Sequence, residues 1–219
     1  MPSRCAGLAR LVLLMLDCRL LIRCVVGACL LVFALLLSTS VFGQSGAYTA
    51  PADLEQLVHS AQTIVRGRVI SATVEPHPQF ANLQTIVIKI TVTKLLKGQA
   101  GPAYTFRQFL WDARDEAVFA TYKRAGEILL FLNPVSAYGL TSPVGLEQGR
   151  FRVLRDAKGN SSVLNGRGNS GLFNQVASKA SSRGVTFSKQ VRQMLSKPGG
   201  PAPLDAFEES IQALAGAPK

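Results

Sequence analysis

The chain has 219 residues, a net charge of +11 at pH 7 and only two histidines. That length suits one domain of ordinary size with a real core. All four cysteines (Cys5, Cys18, Cys24 and Cys29) fall near the start, so the rest of the sequence excludes a disulfide framework and a cysteine-held metal. Basic residues are scattered in runs no longer than two. No nucleic-acid footprint is visible, and the positive balance points instead to anionic surfaces.

Val25 to Leu37 reads VVGACLLVFALLL, an uncharged run preceded by Arg19 and Arg23. Its length matches the apolar region of a signal peptide and is short for a membrane span. Val41 and Gly43 supply the small residues expected before a cleavage, which places the mature start near Gln44. The rival reading of residues 1–43 is an uncleaved N-terminal membrane anchor. Met15 competes with Met1 as the true start, because MLDCRLLIRC is a compact basic leader. Both readings place the protein outside the cytoplasm, with membrane contact only through this segment. A cysteine-free exported chain suits a bacterial envelope.

Residues 44–52 are small and polar, a flexible lead-in. In ADLEQLVHSA, Leu54, Leu57, Val58 and Ala61 recur at helical spacing, and Asp53 with Gln56 is close to a capping box. SAQTIVRGRVISATVE follows as a long strand. Its apolar face changes parity, from Val65, Gly67 and Val69 to Ile70, Ala72 and Val74. A bulge near Val69 or Ile70 explains the switch, and a curved first strand is what a small closed barrel requires. Gly67 allows a tight bend or close approach. Arg66 and Arg68 fall on the other face, as solvent-facing arginines or as a paired anion site.

EPHPQFANLQ is a loop. TIVIKITVTKLLKG alternates Ile86, Ile88, Ile90 and Val92 against Lys89, Thr91 and Thr93, a half-buried antiparallel strand. AYTFRQFLW is a third strand, DARDEAVFATYKRAG a charged connection, and GEILLFLNP a fourth strand covered on both faces. GRFRVLRDAKGNSSVLNG reads as a hairpin turning at Asp156 to Asn160. NGRGNSG lacks the ending of a phosphate loop, and residues 166–184 read as a linker. Phe187, Val191, Met194 and Leu195 mark one amphipathic helix. Leu204, Phe207, Ile211 and Leu214 mark another, with Asp205, Glu208 and Glu209 in its first turn and Gly216 at its end. A helix, a meander of strands over 53–165 and helices over 185–219, without βα alternation, predict a mainly β protein. The expected fold is an antiparallel OB-like barrel of about five to six strands, with one short N-terminal and two C-terminal helices.

The succession IVRGRVISATVE, IVIKITVTKLLKG, GEILLFL and GRFRV, with Lys97-Gly98 and Gly126-Glu127, resembles small secreted bacterial proteins. These carry a barrel like the OB-type module of the netrin domain and the tissue inhibitors of metalloproteinases. The resemblance spans His59 to Asn165 and implies a fold and an extracytoplasmic setting. It implies no activity: the inhibitors' metal-chelating N-terminal cysteine and disulfides have no counterpart after the leader.

The chemistry is sparse. His59 and His77 are distant from one another, and neither G-x-S-x-G nor H-E-x-x-H is present. Asp112, Asp115 and Glu116 cluster in WDARDE, where paired carboxylates could hydrolyse a glycoside or hold calcium; the spacing is not an EF-hand and Arg114 interrupts it. Trp111 is either a barrel-edge core residue or a stacking platform. Two functions remain open. One is an exported non-catalytic binding module, without cofactor or metal, using Arg66, Arg68, Trp111, Asp112 and Asp115 toward an unknown protein or an anionic envelope component. The other is a small envelope hydrolase using His77 or the Asp112/Asp115/Glu116 group.

Overall fold

The computed structural model describes residues 49–110, 120–122 and 126–217. Residues 1–48 with the four cysteines, and Trp111, Asp112, Asp115 and Glu116, lie outside the described residues. Among the described residues no helix is long and apolar enough to cross a membrane.

Helix α1 (Leu54–Ser60) is fixed at both ends. Asp53 accepts the Gln56 N–H at 2.9 Å, and the Gln56 side chain accepts the Asp53 N–H at 2.9 Å. This closes the expected capping box. At the other end the Lys97 ammonium donates to the Val58 and Ala61 carbonyls at 2.6 Å each. A cation there satisfies orphan carbonyls and complements the helix dipole. Gly98 follows with φ +82°, and a Cβ on it would stand 2.5 Å from the Gln62 carbonyl oxygen. The Lys97-Gly98 pair therefore joins a strand end to a helix end.

Seven strands form one antiparallel sheet: β1 (Thr63–Pro76), β2 (Gln84–Lys97), β3 (Ala103–Phe109), β4 (Glu127–Leu132), β5 (Arg150–Arg155), β6 (Ser161–Asn165) and β7 (Ala202–Pro203). Their order is β3-β2-β1-β4-β5-β6-β7. The β-rich class is as expected. The ladder, however, has seven strands rather than five to six and does not close, since β3 and β7 are its two ends. The added strand is the two-residue β7, inside the KPGGPAP stretch, where Ala202 pairs with Val163. The β1–β2 register shifts between Val69 and Ser71, where the apolar parity changes, and at two earlier points. Gly67 meets the close approach expected of it: a Cβ would lie 2.3 Å from the Thr91 carbonyl oxygen.

The sheet has a core on each face. The inner one gathers Val65, Ala72, Ile86, Ile88, Ile90, Phe106, Tyr122, Ile128, Leu130 and Leu132. The outer one packs Ile64, Leu129, Phe131, Phe151 and Val163 against the helices α1, α2 (Val176–Ser182), α3 (Lys189–Leu195) and α4 (Leu204–Ala215). β4 lies between them and is buried along its whole length. Phe207 of α4 sits 4.9 Å from Phe151 and 6.4 Å from Phe131 and Phe173, ring centre to ring centre. Full burial of such a ring stabilises by about 1.5–3 kcal/mol. The apolar stripes of both C-terminal helices are buried in this core, so these helices belong to the domain.

The 166–184 segment, expected as a linker, contains α2 and buries Leu172, Phe173, Val176 and Ala180. It is anchored by two buried asparagines. Asn165 and Asn169 each accept the other's backbone N–H, at 2.8 and 3.0 Å, and Asn169 donates to the Val163 and Gly200 carbonyls at 2.9 Å. Side-chain amides here replace the ladder that a loop lacks.

Candidate anion-binding site

β5 alternates arginine with apolar residues, Arg150-Phe151-Arg152-Val153. Because strand side chains alternate faces, burying Phe151 on the helix side sends Arg150 and Arg152 to the other. There they stand opposite Leu130 and Ile128 of β4. Thr121, Tyr122, Ile128, Glu147, Arg150, Arg152 and Gly166 line a cavity of about 200 Å³.

Its parts are held firmly. Arg150, 8% exposed, donates to the Thr121 hydroxyl at 2.5 Å and pairs with Glu147. Its guanidinium lies 4.8 Å from the centre of the Tyr122 ring, a cation–π placement. Gly166 leaves room here: a Cβ would sit 2.8 Å from the Glu147 Cβ and push that side chain aside. Tyr122 is 1% exposed. Burial pushes its phenol well above the ordinary value, and the Arg150 charge only partly offsets this, so the ring stays neutral. Arg152, at the mouth, is exposed. Among the described residues the lining thus carries two guanidiniums against one carboxylate, beside apolar walls.

Arg66 and Arg68 take different roles. Arg66 pairs with Glu127 and donates through Nε to Glu208 at 2.6 Å. Burial works against its charge, but these two carboxylates outweigh that and raise its pKa above the ordinary value. Lys94 reaches the second oxygen of Glu208 at 2.7 Å, and Arg155 the second oxygen of Glu127 at 3.0 Å. Arg66 is thereby the centre of an ion network joining β1, β2, β4, β5 and α4. Arg68 is exposed, opposite Glu127 in the ladder. Trp111, Asp112 and Asp115 lie outside the described residues.

His77 is 4% exposed. One ring nitrogen lies 2.8 Å from the Tyr138 carbonyl oxygen, and the other accepts the Gln79 N–H at 3.1 Å. With one nitrogen accepting from Gln79, the other is placed to donate to the Tyr138 carbonyl. The ring also stacks on Phe80 at 5.2 Å. His77 thus pins two loops together with both nitrogens engaged. His59 is likewise engaged, against the Glu55 carbonyl and Arg183. Among the described residues no group of His, Cys, Asp and Glu is placed to hold a metal ion.

Sequence reasoning did not single out Tyr122, Arg150 or Arg152. The available signal was the Arg-Phe-Arg alternation in GRFRV, which repeats the Arg-Gly-Arg pattern of β1. No family model, no curated protein and no solved structure matches the chain.

Proposed function

We propose that the protein is an exported, non-catalytic binding module of a bacterial envelope, and that the β5 cavity receives an acidic group of an envelope component. The observation that carries this reading is the pairing of a fixed guanidinium, Arg150, with an exposed one, Arg152, over Glu147, the one carboxylate among the described lining residues of a small cavity. Arginine forks suit carboxylate and phosphate groups. Arg150, held by Glu147, Thr121 and Tyr122, provides a preset wall, and Arg152 is placed to meet the incoming anion. Tyr122, buried behind Arg150, backs that wall with a neutral ring.

The OB-like barrel remains the proposed architecture of this module. Two features support it. β1 pairs with both β2 and β4, and the connection after β4 reaches β3, through an isolated bridge between Leu140 and Arg107. Small OB barrels are partly open.

The test is thermal shift with a carboxylated polysaccharide, a phosphate monoester and anionic phospholipid vesicles, on the natural chain and on Arg152→Ala. At least one acidic ligand raises Tm in the natural chain, and Arg152→Ala removes the shift while leaving the unliganded Tm unchanged. A shift that survives Arg152→Ala refutes the site, and no shift with any acidic ligand refutes the reading.

A further inference from the structure

β1 pairs on both sides only from Thr63 to Arg68, where its partner β4 begins at Glu127. From Ser71 to Pro76 its only ladder partner among the described residues is β2. One hydrogen bond fixes which backbone groups are left over. Beyond the register shift at Ile70, the His77 N–H reaches Leu83 before the start of β2, so the odd-numbered residues Ser71, Thr73 and Glu75 face β2 and the even-numbered ones face away from it. Peptide groups of one strand alternate in this way. Ala72 and Val74 therefore continue the row that β4 uses, with no ladder partner among the described residues. Beside them Ile70 is 55% exposed and Val74 43%.

An open row of N–H and C=O groups is complementary to another extended backbone. We infer that this edge pairs antiparallel with the same edge of a second copy of the chain. The edge is self-complementary. With a two-fold axis at Ala72, Ala72 faces its own counterpart, and Ile70 of each copy faces Val74 of the other. Both exposed apolar side chains are covered at once, as an isologous interface requires. The window is short, bounded by the register shift at Ile70 and by Pro76, which has no N–H to give. These bounds fix the register. The two-fold closes the assembly at two copies, because each edge is used up. An edge this short buries little surface compared with a stable interface, so the dimer is weak and concentration-dependent.

Sedimentation velocity of the full chain over a wide concentration range tests this. The natural chain shifts from monomer to dimer as concentration rises. Val74→Lys and Ile70→Glu each weaken the dimer by about tenfold or more and leave Tm unchanged. Mixing these two variants restores a heterodimer, since the carboxylate introduced in one copy then faces the ammonium introduced in the other. Val74→Pro, which removes an outward N–H at an exposed position, also yields a monomer. A chain that is monomeric at every concentration overturns the inference. So does a dimer untouched by both charged variants, which would use another surface, or a mixture that fails to associate when each single variant remains folded.

Discussion

β1 contains two regions of similar composition and different fate. In its first half Ile64 and Val65 are fully buried, one in each core, with β2 and β4 on either side. In its second half Ile70 and Val74 are exposed, and among the described strands β2 alone pairs with this half. Both halves are rich in β-branched residues, so propensity does not separate them. Neighbours do, because strand preference is largely packing against what lies alongside. The first half is a structural hub. The second is held through its β2 partner and its inner-face residue Ala72, and on its opposite edge no described residue pairs with it.

The largest expected effect tests what holds the second half in place. Ile88, opposite Ala72, is fully buried in the inner core. Ile88→Asp places a carboxylate there without a partner, at a cost of several kcal/mol. The expected outcome is loss of the cooperative melt by circular dichroism. An unchanged melt would mean that the second half rests on something other than the inner core.

A smaller effect separates the halves. Glu208→Ala removes the carboxylate shared by Arg66 and Lys94, and breaking such a buried pair costs about 3 kcal/mol. Hydrogen exchange should quicken at Thr63 to Arg68 and change less at Ser71 to Glu75. Equal loss in both segments would show that the strand opens as one unit.

The smallest effect probes the inner core through pH. Because burial raises the Tyr122 pKa, the folded chain keeps that proton after the unfolded chain has lost its own near pH 10. Stability from this source is complete below about pH 10 and falls as pH rises above it. Tyr122→Phe has no proton to hold, so its Tm should decline less steeply above pH 10 than that of the natural chain. Parallel declines would place Tyr122 in contact with water.

The features legible in the sequence were the local ones. The capping box of Asp53 and Gln56, the parity change near Val69, the close approach at Gly67 and the apolar stripes of α3 and α4 each depend on a few neighbouring residues. What stayed hidden depends on distant partners. Glu208 reads as an acidic residue near a helix start, yet it meets Arg66 across 142 positions. NGRGNSG reads as a flexible turn because glycine dominates it, whereas its asparagine side chains supply the bonds that order it. Lys97 reads as the charged end of a strand until α1 is placed beside it. The cavity was hidden for the same reason: Tyr122 and Arg150 belong to segments far apart in the chain, and only folding sets the guanidinium over the ring.

The reach of Glu208 also bears on how the protein is made. Translation delivers β1 through β7 before α4, so the strands carry Arg66 and Lys94 before their shared carboxylate exists. Until the ribosome has synthesised α4, the outer apolar face has no Phe207 to cover it. A product cut short before Leu204 therefore differs from the finished chain by an exposed aromatic surface beside undercompensated cations. A chain lacking α4 is therefore expected to open more readily and to be cut faster by a nonspecific protease than one that has it.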